Sequence, residues 1–431
     1  MICDNVSIND KGHLTFAGYD TVDLANKYST PLYLFDENKI REHVRDYRDA
    51  MKEYFPSGSV PEYASKAFSC KRIYEIMNEE NIDIDVVSGG ELYTAYKAGF
   101  PMERVFFHGN NKTDFEISYA LDLKIGYFIV DNFFELETIN SLAKEKNMKQ
   151  KILLRVSPGI DPHTHAKIST GSTESKFGVP IETGDAYLFT KEALELENVE
   201  LCGFHCHIGS QIFESDPFAT AAEVMLSFIM DIKEKYDYYP EYLNLGGGFG
   251  VRYVESDPEI SYREKIKETA NNVNALFGKY NLETPKILME PGRSLVADAG
   301  MTLYTVGSVK EIKDYKNYIS IDGGMTDNPR YTLYESQYTI YLASRANEEK
   351  DFVATIAGKC CESGDLIQED VKITKPEKGE ILAVLTTGAY NYSMASNYNR
   401  IPRPAAVMLN NENDYVIIKR ESFEDITRLD V

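Results

Sequence analysis

"VPEYASKAFSCKRIYEIM", residues 60–77, changes its period halfway along. Residues 60–65 read as a short strand, and residues 71–77 place apolar side chains at helical spacing. Lys66 falls at the junction. A lone lysine is most often a solvated charge whose stem lies on apolar surface. An amine aimed out of a strand end can also form a Schiff base with a carbonyl compound. The rest of the chain decides between the two.

The same strand-then-helix unit recurs. "IDIDVVS" (82–88), "RVFFHG" (104–109), "IGYFIVD" (125–131), "KILLRVSP" (151–158), "LCGFHCHIG" (201–209), "EYLNLGGG" (241–248) and "KILMEPG" (286–292) are strand candidates separated by amphipathic segments. Eight strands alternating with helices predict an α/β fold, a closed TIM-like (β/α)8 barrel over residues 38–295. A doubly wound open sheet is the alternative; the count of eight, and the absence of a Gly-x-Gly-x-x-Gly turn after the first strand, favour the barrel. Beyond residue 295 the segments become short, β-branched or aromatic, and bounded by turn residues, which predicts a C-terminal β domain over 296–431. Residues 1–37 are strand-like and are expected to pack with that domain, because chain termini often lie close together.

Composition narrows the function. The chain has 431 residues, enough for more than one domain, and 43% hydrophobic residues, enough for a sizeable core. A net charge of −22 argues against nucleic acid and anionic membrane surfaces as partners. No apolar run approaches the roughly 18 residues that a membrane span needs. The N-terminal "MICDNVSINDKGHLTF" has no basic start and no long apolar stretch, so no secretion signal is expected. The six cysteines (Cys3, Cys70, Cys202, Cys206, Cys360 and Cys361) form no regular framework, and a cytoplasmic location with reduced thiols is expected. Tryptophan is absent and Tyr numbers 30, for which composition offers no account.

Barrel chemistry collects where strands end. Here the unusual residues fall at those ends: Lys66, "SGGE" (88–91), "HGNNK" (108–112), "HCHIGSQ" (205–211), "GGGFG" (246–250) and "EPGR" (290–293). His205 and His207 lie two apart and share a strand face. A metal reading of the pair needs further ligands, and no His-rich partner is evident, so no metal is expected; an imidazole laid against a planar cofactor fits better. Three successive glycines let the backbone approach a ligand and offer amide donors to a phosphate, although a tight turn would explain them too. Ser210, Gly292 and Arg293 add donors nearby. Glu290 either caps a turn or pairs with a protonated ring nitrogen, which would keep a pyridinium charged.

These motifs carry a resemblance. "YASKAFS", "DVVSGGEL", "HGNNKT", "SKFGV", "HIGSQ", "GGGFG", "EPGR", "CESGD" and "GAY" occur in the order seen in diaminopimelate decarboxylases, pyridoxal 5'-phosphate (PLP) enzymes of the alanine-racemase-like fold. The resemblance runs from "TPLYLFD" to "RPAAVM", nearly the whole chain. It implies decarboxylation of meso-2,6-diaminopimelate to L-lysine and carbon dioxide. It implies that Lys66 forms the internal aldimine, that His207 stacks on the cofactor ring and that Glu290 pairs with its nitrogen. Ser210, Gly247, Gly248, Gly292, Arg293 and Tyr390 would complete the cofactor site. Cys361 would donate a proton, and Arg293, Arg330, Tyr334, Glu362 and Tyr390 would bind substrate. The resemblance also implies a homodimer whose active site is shared between chains.

The sequence departs from the family pattern in places. Tyr331 stands where a proline usually follows the arginine, Gly358-Lys359-Cys360 replaces a small residue and proline, and "YASKAFS" replaces a commoner ending. None removes a charge that the reaction needs. Decarboxylases of ornithine, arginine or carboxynorspermidine are the nearest alternatives, and a non-catalytic PLP-binding regulator is a further one. Arg330 beside "CES" argues for a diacid, Glu290 argues against a racemase, and the presence of Lys66 and Cys361 argues for catalysis.

Overall fold

The structure is a computed structural model that describes residues 1–160 and 175–431. The chain divides into two compact units, one of residues 43–250 and 260–292, the other of 1–42, 251–259 and 293–431.

The first unit is the barrel expected from the alternating pattern. Its parallel strands are Val60–Ala64, Asp83–Val86, Val105–Phe107, Tyr127–Val130, Gln150–Ser157, Val199–His205, Tyr242–Asn244 and Lys286–Met289. Each pairs with the next, and the ring closes where Leu288 lies opposite Val60. Parallel strands buried on both faces need apolar runs rather than strict alternation. "VFF", "YFIV" and "KILM" supply them. The helices that follow carry their own start signals. The side chains of Ser88, Asn132 and Ser261 accept from the N–H groups of Glu91, Glu135 and Glu264. Thr113 and Glu116 cap each other reciprocally.

The barrel interior is layered. Phe106, Ile129, Leu153, Cys202 and Leu288 form an apolar floor. Two residues further along four of those strands, the same face carries His108, Asp131, Arg155 and Glu290, all buried. On the sixth strand the step is three residues, from Cys202 to His205, because a bulge between Leu201 and Gly203 shifts the register. Ionisable side chains therefore lie one step above an apolar floor.

The second unit is a mixed sheet. The strand Leu32–Asp36 lies between Gly300–Ile312 and Ala405–Leu409, antiparallel to the first and parallel to the second. All five residues of this N-terminal strand are buried in the centre of the sheet built by the C-terminal half. Gly300–Ile312 is longer than the short strands its region was expected to form. Its first half pairs with Leu32–Asp36 and Ile381–Leu385, and its second half with Lys316–Ile321. None of the six cysteines forms a disulfide. No helix among the described residues is long and apolar enough to cross a membrane.

Leu34 is fully buried in the core of this unit, against side chains of both chain halves. Leu34→Ala is expected to destabilise the unit by about 2–5 kcal/mol, through lost transfer energy and the cavity left behind. A thermal melt with no fall in midpoint would show that the N-terminal strand does not belong to the cooperative core.

Candidate active site

The first barrel strand ends at Ala64, and Lys66 sits in the single 3-10 turn Ser65–Ala67 that follows. Its neighbours Ser65 and Ala67 are buried while Lys66 is exposed at the strand end. Asp85, near the end of the second strand, is 1% exposed, and neither carboxylate oxygen has a well-formed hydrogen bond. Burial pushes the Asp85 carboxyl well above the carboxylate range, and the Lys66 ammonium works against that shift. Asp85 and Lys66 therefore lie near enough for their charges to interact.

Two imidazoles approach Glu290, without well-formed hydrogen bonds to its Oε1. His205 Nε2 lies 3.0 Å and His108 Nε2 3.3 Å from Glu290 Oε1. Burial opposes ionisation of Glu290, but His108 and His205 outweigh it and hold the carboxyl well below its usual range. Burial keeps both imidazoles below theirs. Glu62, fully buried nearby, goes the other way: burial, then repulsion from Glu290, raises it well above the carboxylate range. The result is one ionised acid beside one neutral acid, an arrangement that separates their proton-holding roles.

His108, His205 and Glu290 bring three potential ligand atoms within 4.8 Å of one another. The sequence offered no partner for a metal-binding histidine; the closed barrel supplies two. The three side chains thus form one compact, buried cluster around the Glu290 carboxyl.

The glycine run builds a cradle. A Cβ at Gly247 would lie 2.0 Å from Glu290 O, and one at Gly248, which has φ +126°, would lie 2.4 Å from Gly209 O. The Gly247 N–H donates to His207 Nδ1 at 3.2 Å, which leaves the ring its Nε2 proton. Gly247 therefore gives space and orients His207. Burial, then the Lys66 charge, holds His207 well below the imidazole range, so the ring is neutral. Ile212, just beyond Ser210 and Gln211, exchanges backbone bonds with Gly248 and Gly250, which ties "HIGSQ" to "GGGFG". Gly292 packs so closely that a Cβ there would lie 2.8 Å from Ala64 Cβ.

Other motif residues turn out to hold the scaffold. Glu91 of "SGGE" accepts from the Val87 N–H at 2.8 Å. Lys112 of "HGNNK" is buried on Glu135 (2.7 Å) and on the carbonyls of Gly109 and Ile129, pinning the loop that carries His108.

In the mixed-sheet unit, Asp365 of "CESGD" is buried and accepts from the Met325 and Cys360 N–H groups, both at 2.6 Å. Cys361 and Glu362 are exposed. The Gly358-Lys359-Cys360 departure is held by bonds from its N–H groups to Asp365 and Gly323, and Gly358 packs so closely that a Cβ there would lie 2.3 Å from the Asp365 carboxylate. Tyr331 donates to Glu369 on a neighbouring strand, so the residue in the proline's place has a partner of its own. Arg330 is 6% exposed and begins a one-turn helix that ends at the half-buried Tyr334. The Arg293 guanidinium lies 4.8 Å from the ring of Tyr390, which adopts φ 59°.

Residues 37–297 match the family model described as "Pyridoxal-dependent decarboxylase, pyridoxal binding domain". The chain is 47% identical to the diaminopimelate decarboxylase of Halalkalibacterium halodurans over 98% of this chain and 96% of that protein. Among solved structures it resembles the M. jannaschii diaminopimelate decarboxylase in co-complex with L-lysine, with a TM-score of 0.92 and 36% identity over 100% of this chain and 98% of that one. The Helicobacter pylori diaminopimelate decarboxylase complexed with L-lysine matches with a TM-score of 0.85 and 32% identity over 95% and 99%. The chain belongs to the diaminopimelate decarboxylase family.

The family's cofactor fits the residues present. An exposed lysine stands at a strand end, the glycine cradle leaves room that a Cβ would fill, and buried acids lie without well-formed partners. Of the residues expected from the sequence, Lys66, His207, Ser210, Gly247, Gly248, Glu290 and Gly292 all lie in the barrel unit. Arg293, Arg330, Tyr334, Cys361, Glu362 and Tyr390 lie in the mixed-sheet unit. The sequence assigns no role to His108, Asp85 or Arg155, and treats His205 only as the strand-face companion of His207. The signal was available: each is a polar or ionisable residue at or near the end of a barrel strand that is otherwise apolar.

Gly247→Ala must displace the Glu290 backbone, since the new methyl would meet Glu290 O at 2.0 Å. Affinity of the cofactor-free protein for PLP, followed by titration, is expected to fall about tenfold or more, the equivalent of about 1.4 kcal/mol. Unchanged affinity would show that the cradle is only a turn.

Proposed function

We propose that this protein decarboxylates meso-2,6-diaminopimelate to L-lysine and carbon dioxide with the aid of PLP, the last step of lysine biosynthesis. The observation that carries the substrate choice is Arg330, a buried guanidinium with no carboxylate in ion-pair contact among the described residues. A buried cation without a counter-ion favours an anionic ligand, and a diamino diacid brings a second carboxylate that an arginine can hold bidentately. The full-length likeness to diaminopimelate decarboxylases supports the same choice.

Bound PLP supplies the electron sink that lets a carboxylate leave as carbon dioxide. The rest is the work of the chain's own residues. Lys66 would provide the amine that ties the cofactor covalently. Glu290, whose carboxyl lies well below its usual range beside His108 and His205, would accept the N–H of the ring nitrogen. His207, oriented by the Gly247 amide, would lie against the ring, while Ser210, Gly248, Gly292, Arg293 and Tyr390 would hold the phosphate end and its surroundings. Arg293, Arg330, Tyr334 and Tyr390 would bind substrate. Cys361 would deliver a proton to the carbon that loses the carboxylate, and Glu362 would hold the distal ammonium. The working unit in this proposal is a cytoplasmic homodimer in which Cys361 and Glu362 of one copy serve the barrel of the other. The exposure of both residues in the single chain supports this arrangement.

Carbon dioxide and lysine should form from meso-diaminopimelate and not from L-ornithine, L-arginine or carboxynorspermidine; turnover of one of these in its place would redirect the assignment. In Lys66→Ala, borohydride should no longer tether PLP to the protein, and turnover should be lost. Labelling of another lysine in the wild type would refute that role. Mixed Lys66→Ala and Cys361→Ala proteins should regain partial activity on subunit exchange, because one of the two shared sites would then be intact. No recovery despite proven exchange would mean that both residues serve the same chain's site, or that the thiol is not the donor.

A further inference from the structure

Arg330 and Arg293 are held by phenols. Arg330 Nη1 donates to Tyr338 Oη at 2.9 Å, and its guanidinium lies 4.6 Å from the Tyr253 ring and 5.6 Å from the Tyr338 ring. Arg293 Nη1 donates to Tyr253 Oη at 2.8 Å. Tyr253 therefore touches both cations, one through its hydroxyl and the other through its ring. The Tyr253 and Tyr338 rings meet edge to face, with centroids 5.6 Å apart and planes at 83°.

Both tyrosines are themselves anchored. Thr339 Oγ1 donates to Tyr253 O at 2.9 Å, and Asp257 accepts from the Tyr253 N–H at 2.9 Å. Gln368 Oε1 accepts from the Tyr338 N–H at 2.6 Å. Asn391, fully buried, reaches Tyr338 Oη at 3.3 Å and bonds the Thr387 carbonyl at 3.0 Å. A phenol oxygen can accept from a guanidinium and a ring face can attract it, yet neither cancels its charge. Carboxylates in the same places would fix the arginines equally well and neutralise them.

We propose that Tyr253 and Tyr338 are positioning residues that determine specificity: they hold Arg293 and Arg330 in register while leaving Arg330 uncompensated for a carboxylate of a diacid. The inference rests on the dicarboxylate reading of the substrate given above. It adds two residues that the sequence did not single out.

The test uses the PLP-loaded Tyr338→Phe and Tyr253→Phe proteins, each of which keeps its ring and loses only the hydroxyl. Three quantities are compared with wild type: KM and kcat for meso-diaminopimelate, inhibition by pimelate, and inhibition by cadaverine. Pimelate is a diacid without amines, and cadaverine is a diamine without carboxylates. In at least one variant, KM and the pimelate inhibition constant should rise about tenfold, as expected when a hydrogen bond to a charged group is lost. Cadaverine inhibition and kcat should change little. Equal weakening of pimelate and cadaverine would mean general damage to the site and would overturn the proposal, as would unchanged pimelate binding in both variants. Arg330→Ala separates the two levels. If it too leaves pimelate binding unchanged, the dicarboxylate reading fails; if it weakens pimelate while both phenylalanine variants do not, only the tyrosine frame fails.

Discussion

The contact on which the barrel mouth depends is the approach of His205 and His108 to Glu290 Oε1, at 3.0 and 3.3 Å. An isolated carboxylate in this position, one step above an apolar floor, would carry a penalty of several kcal/mol. Each of the three residues follows a floor residue on its own strand: Phe106 for His108, Cys202 for His205, Leu288 for Glu290. The floor excludes water from below, and the imidazoles take its place. Glu62 then has to remain neutral, because a second carboxylate charge could not be compensated there. Lys112, buried on Glu135, keeps the His108 loop from drifting.

Much of this was legible in the sequence. The strand-then-helix rhythm gave the barrel, and the strand ends gave Lys66, His207 and Glu290, because a parallel barrel gathers its strand ends at one mouth. The period of two that takes Phe106 to His108 and Leu153 to Arg155 was also there, but it acquires meaning only once the ring is closed. His205 shows the limit. The reading placed it on one face with His207, yet its partners His108 and Glu290 come from the third and eighth strands, and a bulge three residues earlier sets its register. No local pattern encodes that meeting. Tyr331 shows the opposite case: a departure from the family pattern finds a hydrogen bond with Glu369 that sequence spacing could not reveal.

The two units treat buried charge in different ways. In the barrel, acids, imidazoles and a lysine answer one another, and the cluster fixes which member is ionised. In the mixed-sheet unit, the buried Lys39 pairs with Asp4 and Glu42, while Arg293 and Arg330 are framed by neutral phenols. This gives part of the abundance of tyrosine a physical sense that composition alone did not. Tyr253, Tyr338 and Tyr390 surround arginines. Tyr304, fully buried, donates to Asp327, whose carboxyl is pushed up to about 7 by burial. A phenol offers a large apolar ring with one polar end, so it can fill a core and still place a single hydrogen bond on a charge.

The adjacent cysteines show how environment separates two identical groups. Cys360 is buried, and its thiol is pushed up to about 12, first by burial and then by Asp365. It packs as a small apolar residue and is poorly suited to giving up a proton. Cys361 is exposed, on a backbone fixed by the bond from its N–H to Asn399 Oδ1 at 2.8 Å. Asp365, four residues on, anchors the loop from inside, with its two oxygens bonded to the N–H groups of Met325 and Cys360. The "CESGD" motif thus divides its labour. Its last residue holds the turn, and its first two are presented to solvent. A proton donor that must be reloaded in every cycle needs access to solvent or to a partner group, and of the two thiols only Cys361 has it.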